Sequence, residues 1–556
     1  MKLFHKLLLA PAALGLMAPV AASAADMNLA GVKQYASADE QVTSISQFSD
    51  VQPTDWAYQA LSNLVERYGC VAGYPNGTFA GKKAMTRFEA AALLNACLDR
   101  VTEVTDQLKK LMKEFEKELA ILKGRVDGLE ARVGTLEANQ FSTTTKLKGS
   151  TYWVLGANSF GGNFAGPNIF TPGANATEGG TTFNYDLRLD LDTSFTGKDL
   201  LRTRLRAGNF GASGFNGSGA VGLNALEVSF EQSLGETTAP NVVGIDRLFY
   251  QFPLGSGFTF TGGPRVRQDD MLAMWPSAYP ADTILDVFTY AGAPGAYSLN
   301  LGGGAGIWWQ KDGFSISANY VSSDANVGQP GYNPGSQFGG GGIMTQGAAS
   351  STTVQLGYAG SNWGTAFAYT YSQNGASIYG GNATPLAAFA SGSGTGTSNN
   401  YGLSAYWTPK TAGYIPSISA GWGYSSYDAA NTAAGNQLVI PGPNGTFGVS
   451  GITAAQNWYV GLQWADAFVK GNSLGMAVGQ PTFVTAANSG TPQDGNYAWE
   501  WWYKFQVTDH ISVTPAIFYL SNPQGAVGFA NAQAANLSTT NGLTNFGGLI
   551  KTTFKF

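Results

Sequence analysis

From Phe141 to Phe556 the chain is written with a period of two. Arg188-Leu189-Asp190-Leu191-Asp192 and Arg202-Thr203-Arg204-Leu205-Arg206 alternate ionic with non-ionic residues. Ala366–Tyr369, Tyr401–Trp407, Trp499–Phe505, Ile511–Tyr519 and Lys551–Phe556 continue the pattern with aromatic and small residues. Successive side chains of an extended chain point to opposite faces, so each segment offers two faces of different polarity. Composition says which solvents those faces meet. Only 12% of residues are charged, against about 25% in ordinary globular domains. Yet 13% are aromatic, 74 are glycine and mean hydropathy is close to zero. This is too polar for a bundle of membrane helices and too aromatic for disorder. Alternating segments of about ten residues with aromatics near their ends are the pattern of an all-β transmembrane barrel. A large soluble sandwich or propeller is the competing fold, and no blade-length repeat supports it.

The start of the chain fits export. Lys2 and Lys6 form a basic region, Leu7–Leu9 and Leu14–Met17 an apolar one, and Ala22-Ser23-Ala24 an A-x-A cleavage site. Residues 1–24 therefore read as a signal peptide, with a mature chain from near Ala25. No later apolar run reaches the length of a membrane-spanning helix. Phe556, with Phe554 and Ile550 behind it at even steps, resembles the C-terminal signal for assembly into an outer membrane. A net charge of −5 gives no reason to expect a nucleic-acid partner.

Seventeen candidate strands can be placed over 141–556, centred from near residue 150 to near residue 550. The segment entering the barrel and the C-terminus both belong in the periplasm, which demands an even number. Counting back from Phe556, short turns at 506–511, 465–472, 408–415, 359–362 and 310–313 alternate with long polar loops. Short turns face the periplasm. The alternation fails only around Asn224–Leu234. Moving that segment into a long second loop leaves about 16 antiparallel strands, with fourteen and eighteen as the neighbouring counts.

A barrel of that size encloses water, and its lumen should hold the charges. Arg188, Arg202, Arg204, Arg206, Arg247, Arg265 and Arg267 cluster on consecutive strands. Directly after them, Gln268–Pro294 mixes Asp269, Asp270, Asp282 and Asp286 with Met271, Met274 and Trp275. That make-up suits a loop folded into the pore as a constriction. An acidic loop opposite an arginine wall would set a field across the pore and tune its selectivity. Alternatively, the arginines pair with Asp190 and Asp192 on neighbouring strands and stiffen the wall.

Two smaller elements precede the barrel. Trp56, Ala60, Leu61, Leu64 and Val65 lie on one face of a helix from Trp56 to Tyr68, with Asp50 and Thr54 as candidate caps and Gly69 as its end. Gly73-Tyr74-Pro75-Asn76-Gly77 is a turn, and a second helix begins near Thr86 with Glu89 as capping-box partner. Cys70 and Cys97 are the only cysteines and fall in this one module. In an exported protein they are candidates for a disulfide, two buried thiols being the alternative. The stretch 100–139 carries apolar residues from Val101 to Leu136 at steps of three and four, with one stutter after Phe115. Such heptads predict a coiled-coil helix about 50–60 Å long.

The module at 47–99 resembles an S-layer homology (SLH) module. Phe48-Ser49-Asp50-Val51, Trp56-Ala57, Gly73–Phe79 and Thr86-Arg87-Phe88-Glu89 match that family in order and spacing, with departures at Asn76 and Phe88. The resemblance implies binding to peptidoglycan-linked polysaccharide, with Asp50, Trp56 and Arg87 as contacts. A planar guanidinium suits a carboxylate because it donates two parallel hydrogen bonds; the alternative places Trp56 in the core and Arg87 against Glu89. Such modules commonly work in threes, so a homotrimer joined by the coiled coil would supply them. With Leu187–Leu191, Leu205–Phe210 and Asp246–Leu254 added, the whole resembles cyanobacterial outer-membrane porins that join an SLH module to an OprB-like barrel. Members are described as carbohydrate-selective or as iron-uptake porins. A ladder of Trp308, Trp309, Trp499, Trp501 and Trp502 could guide sugars, although girdles at the lipid interface are the commoner use of such residues.

Catalytic readings fail. Gly471-Asn472-Ser473-Leu474-Gly475 matches G-x-S-x-G but opens a strand pattern, and His510 is the one histidine after the signal peptide. Gly302–Gly306 lacks the Lys-Ser/Thr of a phosphate loop, and no His/Cys cluster could hold a metal. The sequence thus predicts a non-enzymatic porin without cofactor or metal. Embedded in outer-membrane lipid, it would pass small hydrophilic solutes and be tethered to the wall. A tether with little channel activity is the alternative; an adhesin or secretion barrel would carry its stalk outside.

Overall fold

The computed structural model describes residues 44–55, 58–67, 69, 79, 113–117 and 144–556, the last without 163–170, 220, 235–236, 332–339, 377–379, 393–395, 429–436, 443–444 and 528–541. The chain divides into two units, Met1–Gln140 and Phe141–Phe556. In the first, Ser44 caps a short turn at Ile45–Gln47, its Oγ accepting from the Ser46 N–H while its own N–H donates to Gln47 Oε1. Helix α1, Tyr58–Ser62, runs into a π-turn at Asn63–Arg67. Gly69 follows with a φ of 59°, a conformation that glycine adopts without strain. Leu61 and Val65 pack on Ile45 and Phe48, the apolar face that the spacing predicts. Asp50 Oδ1 accepts from the Phe79 backbone N–H, 29 residues on, at 2.7 Å. The signal peptide, Trp56, Arg87, both cysteines and the helix from Thr86 lie outside the described residues. So does the coiled-coil stretch, apart from 113–117.

The second unit is built from β1 (Thr145–Gly161), β2 (Thr182–Thr193), β3 (Leu200–Gly208), β4 (Gln232–Leu234), β5 (Thr237–Ala239), β6 (Gly244–Gly255), β7 (Phe258–Arg267), β8 (Leu301–Lys311), β9 (Phe314–Ser322) and β10 (Ser350–Ala359). It continues with β11 (Trp363–Gln373), β12 (Thr397–Trp407), β13 (Ser417–Tyr427), β14 (Gln437–Gly442), β15 (Gly445–Ala465), β16 (Ser473–Ser489), β17 (Tyr497–Thr508), β18 (Ile511–Ser521) and β19 (Thr544–Lys555). Sixteen of these form one closed antiparallel ring: β1–β3, β6–β13 and β15–β19. β1 closes it, so that Leu155 lies between Phe183 of β2 and Ile550 of β19. β14 extends the far end of β15 as a hairpin, and β4 and β5 form a separate ribbon. The sixteen-strand count agrees with the parity argument, including removal of the 224–234 segment from the wall.

Pleating sorts the side chains as the alternation demands. On β11, Ala366, Ala368, Thr370 and Ser372 turn inward while Phe367 and Tyr371 are exposed on the outer face, where lipid replaces water. Short turns gather at one end, among them 256–257, 312–313, 360–362 and 509–510. Asp312 and Gly313 have φ of 52° and 85°, the mirror-image turn whose twist matches its flanking strands. The opposite end carries the long loops 162–181, 209–243, 268–300, 323–349, 374–396 and 522–543.

The five tryptophans form no single ladder. Trp501 faces outward, whereas Trp502 is buried in the lumen and donates from Nε1 to Tyr279 Oη at 2.9 Å. Adjacent residues of one strand must diverge in this way. Ser473 opens β16 and has no strand–turn–helix elbow around it.

Candidate functional site

The register of β2 on β3 builds a ladder of ion pairs on the inner wall. Asp192 lies opposite Arg202, Asp190 opposite Arg204, and Arg188 opposite Arg206. Arg202 Nε donates to Asp192 at 2.8 Å and Arg204 Nε to Asp190 at 2.8 Å, each with a second bond from Nη2 at 3.0 Å. Asp186 accepts from both Arg206, at 2.8 Å, and Arg188, at 2.7 Å. Two-point pairs of this kind fix direction as well as charge.

The next strand breaks the alternation. Arg204 is paired with Arg247 but Leu205 with Ile245, which leaves Asp246 as an extra residue in β6. A bulge lets neighbouring residues serve one side. Asp246 and Arg247 are both buried and joined at 2.9 Å, and Asp246 also lies 3.9 Å from Arg204 and 4.0 Å from Arg206.

At least two loops fold into the lumen, where the sequence suggested one. The segment 268–300 crosses from the arginine wall to the far side. Gln268 Nε2 donates to Thr353 Oγ1 on β10 and to the Ala296 carbonyl within the loop; the N–H groups of Ala273 and Tyr279 donate to Ser317 on β9 and Ser419 on β13. Glu500 on β17 accepts from Tyr279 Oη at 2.8 Å and the Leu285 N–H at 2.7 Å. Lys551 Nζ on β19 donates to the carbonyls of Asp282 and Thr283. The segment 209–243 meets this loop through a bridge between Leu226 and Leu285, with Glu227 N–H donating to Ile284 O at 3.0 Å and Asp286 N–H to Ala225 O at 2.9 Å. Phe210, Phe215, Val221, Leu223, Ile284, Leu285 and Phe288 bury their side chains around that bridge. Part of the lumen is therefore packed apolar core, which corrects the expectation of a lumen filled with water.

A cavity of about 660 Å³ lies open against the arginine wall. Arg188, Arg204, Arg206, Arg247, Arg265, Arg267, Asp269 and Asp286 line it, together with Glu227 and Ser298 from the loops. Three loop carboxylates bind the arginine wall directly, so this part of the loops does not face it across open water: Arg267 Nε reaches Asp269 at 2.5 Å, Arg247 Nε reaches Asp270 at 2.8 Å, and Arg188 Nη2 reaches Glu227 at 3.0 Å. Asp286 hydrogen-bonds Tyr290 at 3.0 Å. Arg202 stands on the ladder outside the cavity lining, and Asp282 lies apart, 3.9 Å from Lys555. Glu227, Ser298 and Glu500 escaped the sequence reading. Glu500 alone left a trace there, as an acid in an aromatic strand.

A closed antiparallel barrel of sixteen strands, apolar outside and narrowed within by infolded loops, is the architecture of an outer-membrane porin. The sequence profile of the carbohydrate-selective porin, OprB family, matches residues 103–268 and 280–556, and that of the S-layer homology domain matches 47–91. The chain belongs to the OprB family and carries an SLH domain. An uncharacterized protein of Nostoc sp. is 37% identical over 549 residues, spanning 90% of this chain and 86% of that one. The outer membrane protein SlpA of Thermus thermophilus is 33% identical over 110 residues, 17% of this chain and 12% of its own. Among solved structures, Pseudomonas putida OprB at high pH aligns over 74% of this chain and 94% of its own, with 12% identity and a TM-score of 0.44.

Proposed function

We propose that the protein is a passive channel for small hydrophilic solutes across the outer membrane, held to peptidoglycan-linked polysaccharide by its SLH domain. The observation that carries this reading is the arginine-lined cavity of about 660 Å³ inside the barrel. A barrel that served only as a tether would gain nothing from an open, charged space in its lumen. Inorganic ions suit such a wall most directly. Iron species and sugars are narrower versions of the same reading. The sugar version is the weaker, because Trp501 faces outward while Trp502 is buried beneath the 268–300 loop. Transport of this kind needs no cofactor and no catalytic group.

In this reading the SLH domain lies in the periplasm with Asp50, Trp56 and Arg87 against the wall polymer. A Cys70–Cys97 bridge would stiffen it, and the heptads of 100–139 would join three chains. The alternative is a tether with little channel activity.

The deciding experiment is single-channel recording from folded protein in a planar bilayer, under a salt gradient and with sugars added. Openings in triplets support a trimeric channel, and sugar block in proportion to concentration supports carbohydrate passage. Folded, inserted protein that never conducts would make the tether the function.

A further inference from the structure

We propose that Arg265, with Ser298 and Glu227, forms a discrete binding site for a small proton-bearing oxyanion, of which hydrogen phosphate is the simplest. This deepens the channel reading and rests on it for the route by which the anion arrives. The argument starts from pairing. Among the arginines lining the cavity, Arg188, Arg204, Arg206, Arg247 and Arg267 each have a carboxylate partner. Arg265 has none among the described residues, and its Nε is buried without an acceptor. A charged donor left in that state costs more free energy than a neutral one.

The wall is shaped to put Arg265 there. Leu248 pairs with Arg265 but Tyr250 with Gly262, and Gly263 pairs with Gly304 but Val266 with Gly302. Pro264 and Arg265 thus stand against the single residue Gly303, a bulge of the kind that re-aims a side chain. Arg265 lines the cavity beside Arg267 as a result.

Two further buried atoms of the same cavity lack partners. Ser298 Oγ is one, and Glu227 Oε2 is the other, Oε1 of that carboxylate being held by Arg188. Together these are a guanidinium fork, a hydroxyl and a carboxylate oxygen. Two coplanar oxygens of an oxyanion match the fork, and the hydroxyl can donate to a third. The spare carboxylate oxygen repels a fully deprotonated anion but accepts from one that carries an O–H. Hydrogen phosphate meets all three groups. Sulfate meets the donors only, chloride offers no fork partner, and a neutral sugar leaves the guanidinium charge uncompensated.

The test uses the full-length protein in planar bilayers, with chloride as current carrier and phosphate or sulfate added. Block is scaled to each variant's own chloride conductance. Phosphate should block at concentrations at least about tenfold below sulfate, and Arg265→Gln should raise the phosphate concentration needed by at least about tenfold. Ser298→Ala should raise it less. Arg265→Lys keeps the charge, loses the fork and covers the case in which Arg265→Gln does not fold; it should show the same loss of preference for phosphate. Equal block by the two anions, or phosphate block unchanged in a folded Arg265 variant, overturns the site. Calorimetry of phosphate against detergent-folded protein separates the two readings. Heat that depends on Arg265 from a protein that never conducts keeps the site and removes the channel. Conductance without such heat or block keeps the channel and removes the site.

Discussion

Arg247 on the barrel wall donates from Nε to Asp270 on the infolded loop at 2.8 Å, and its side chain is only 2% exposed. Its other carboxylate partner, Asp246, sits in the bulge of β6. Wall and loop are therefore fastened at one buried guanidinium. Removing one partner of a buried pair costs about 3–5 kcal/mol. Because Asp246 still accepts from Arg247, Asp270→Ala should cost about 3 kcal/mol, the lower end of that range. Thermal unfolding of the detergent-folded barrel measures it, and single-channel conductance should rise as the start of the loop is released. An unchanged midpoint would mean that this pair adds nothing to the loop's other anchors.

Glu500 holds the middle of the same loop through Tyr279 Oη and the Leu285 N–H. Glu500→Ala leaves both donors buried and unpaired, at about 1–3 kcal/mol for each unmade bond. The expected result is a noisier, larger conductance. Glu500→Gln retains an acceptor for one donor and should lie between. Identical current traces from the three proteins would show that this anchor does not hold the loop across the pore.

Gly421 on β13 gives the loop room. A Cβ there would stand 1.9 Å from the Ala291 carbonyl oxygen, which also accepts from Ser404 Oγ at 2.7 Å. Backbone on both sides leaves no flexible atom to yield, so Gly421→Ala should displace 291–292 and cost about 1–3 kcal/mol by overpacking. The same change at Gly548, where nothing lies within 4 Å, should leave stability unchanged to within about 0.5 kcal/mol and is the control.

At the other end of the chain, Arg87→Ala should weaken retention of the protein on isolated wall sacculi by at least about tenfold, the loss of one charge-assisted, two-point hydrogen bond. Retention equal to that of the unaltered protein would take Arg87 out of the binding surface.

The wall was legible in the sequence because lipid outside and polar groups inside impose an alternation that any reader can follow, as from Arg188 to Asp192. Turns such as Asp312-Gly313 carried their own signature. The packing of the lumen was not legible. Phe210, Phe215, Val221 and Leu223 show no period, because they are buried against a second loop and no regular element longer than the single turn Gly222–Asn224 orders them. Pairing of Arg202 and Arg204 with Asp190 and Asp192 was legible as one of two alternatives, but which carboxylate each takes was not, since a shift of one residue in the β2–β3 register would have turned the carboxylates to the lipid face. Asp246-Arg247 was the visible exception. Two adjacent ionic residues within an alternating strand are the trace that a bulge leaves.

Asp494 provides the pH prediction. It lies in the 490–496 loop outside the spanning strands and gathers three segments: Oδ2 accepts from Thr384 Oγ1 at 2.5 Å and the Val484 N–H at 2.8 Å, and Oδ1 from the Ala526 N–H at 2.9 Å. Burial pushes its carboxyl from 3.8 up to about 6, with the hydrogen bonds from Thr384, Ala526 and Val484 acting in the opposite direction. A carboxyl whose value rises on folding favours the folded arrangement while it is protonated. That contribution is complete below about pH 3.8 and is lost as pH rises through about 6; it amounts to about 3 kcal/mol at 1.36 kcal/mol per unit. The loop cluster should accordingly be firmer at pH 5 than at pH 7.5. Hydrogen exchange at the amides of Val484 and Ala526, corrected for the intrinsic rate, should show greater protection at the lower pH. Asp494→Asn carries no titrating group and should flatten the difference. If the pH dependence survives in Asp494→Asn, another group governs the cluster, and Asp494 serves only as its hydrogen-bond acceptor.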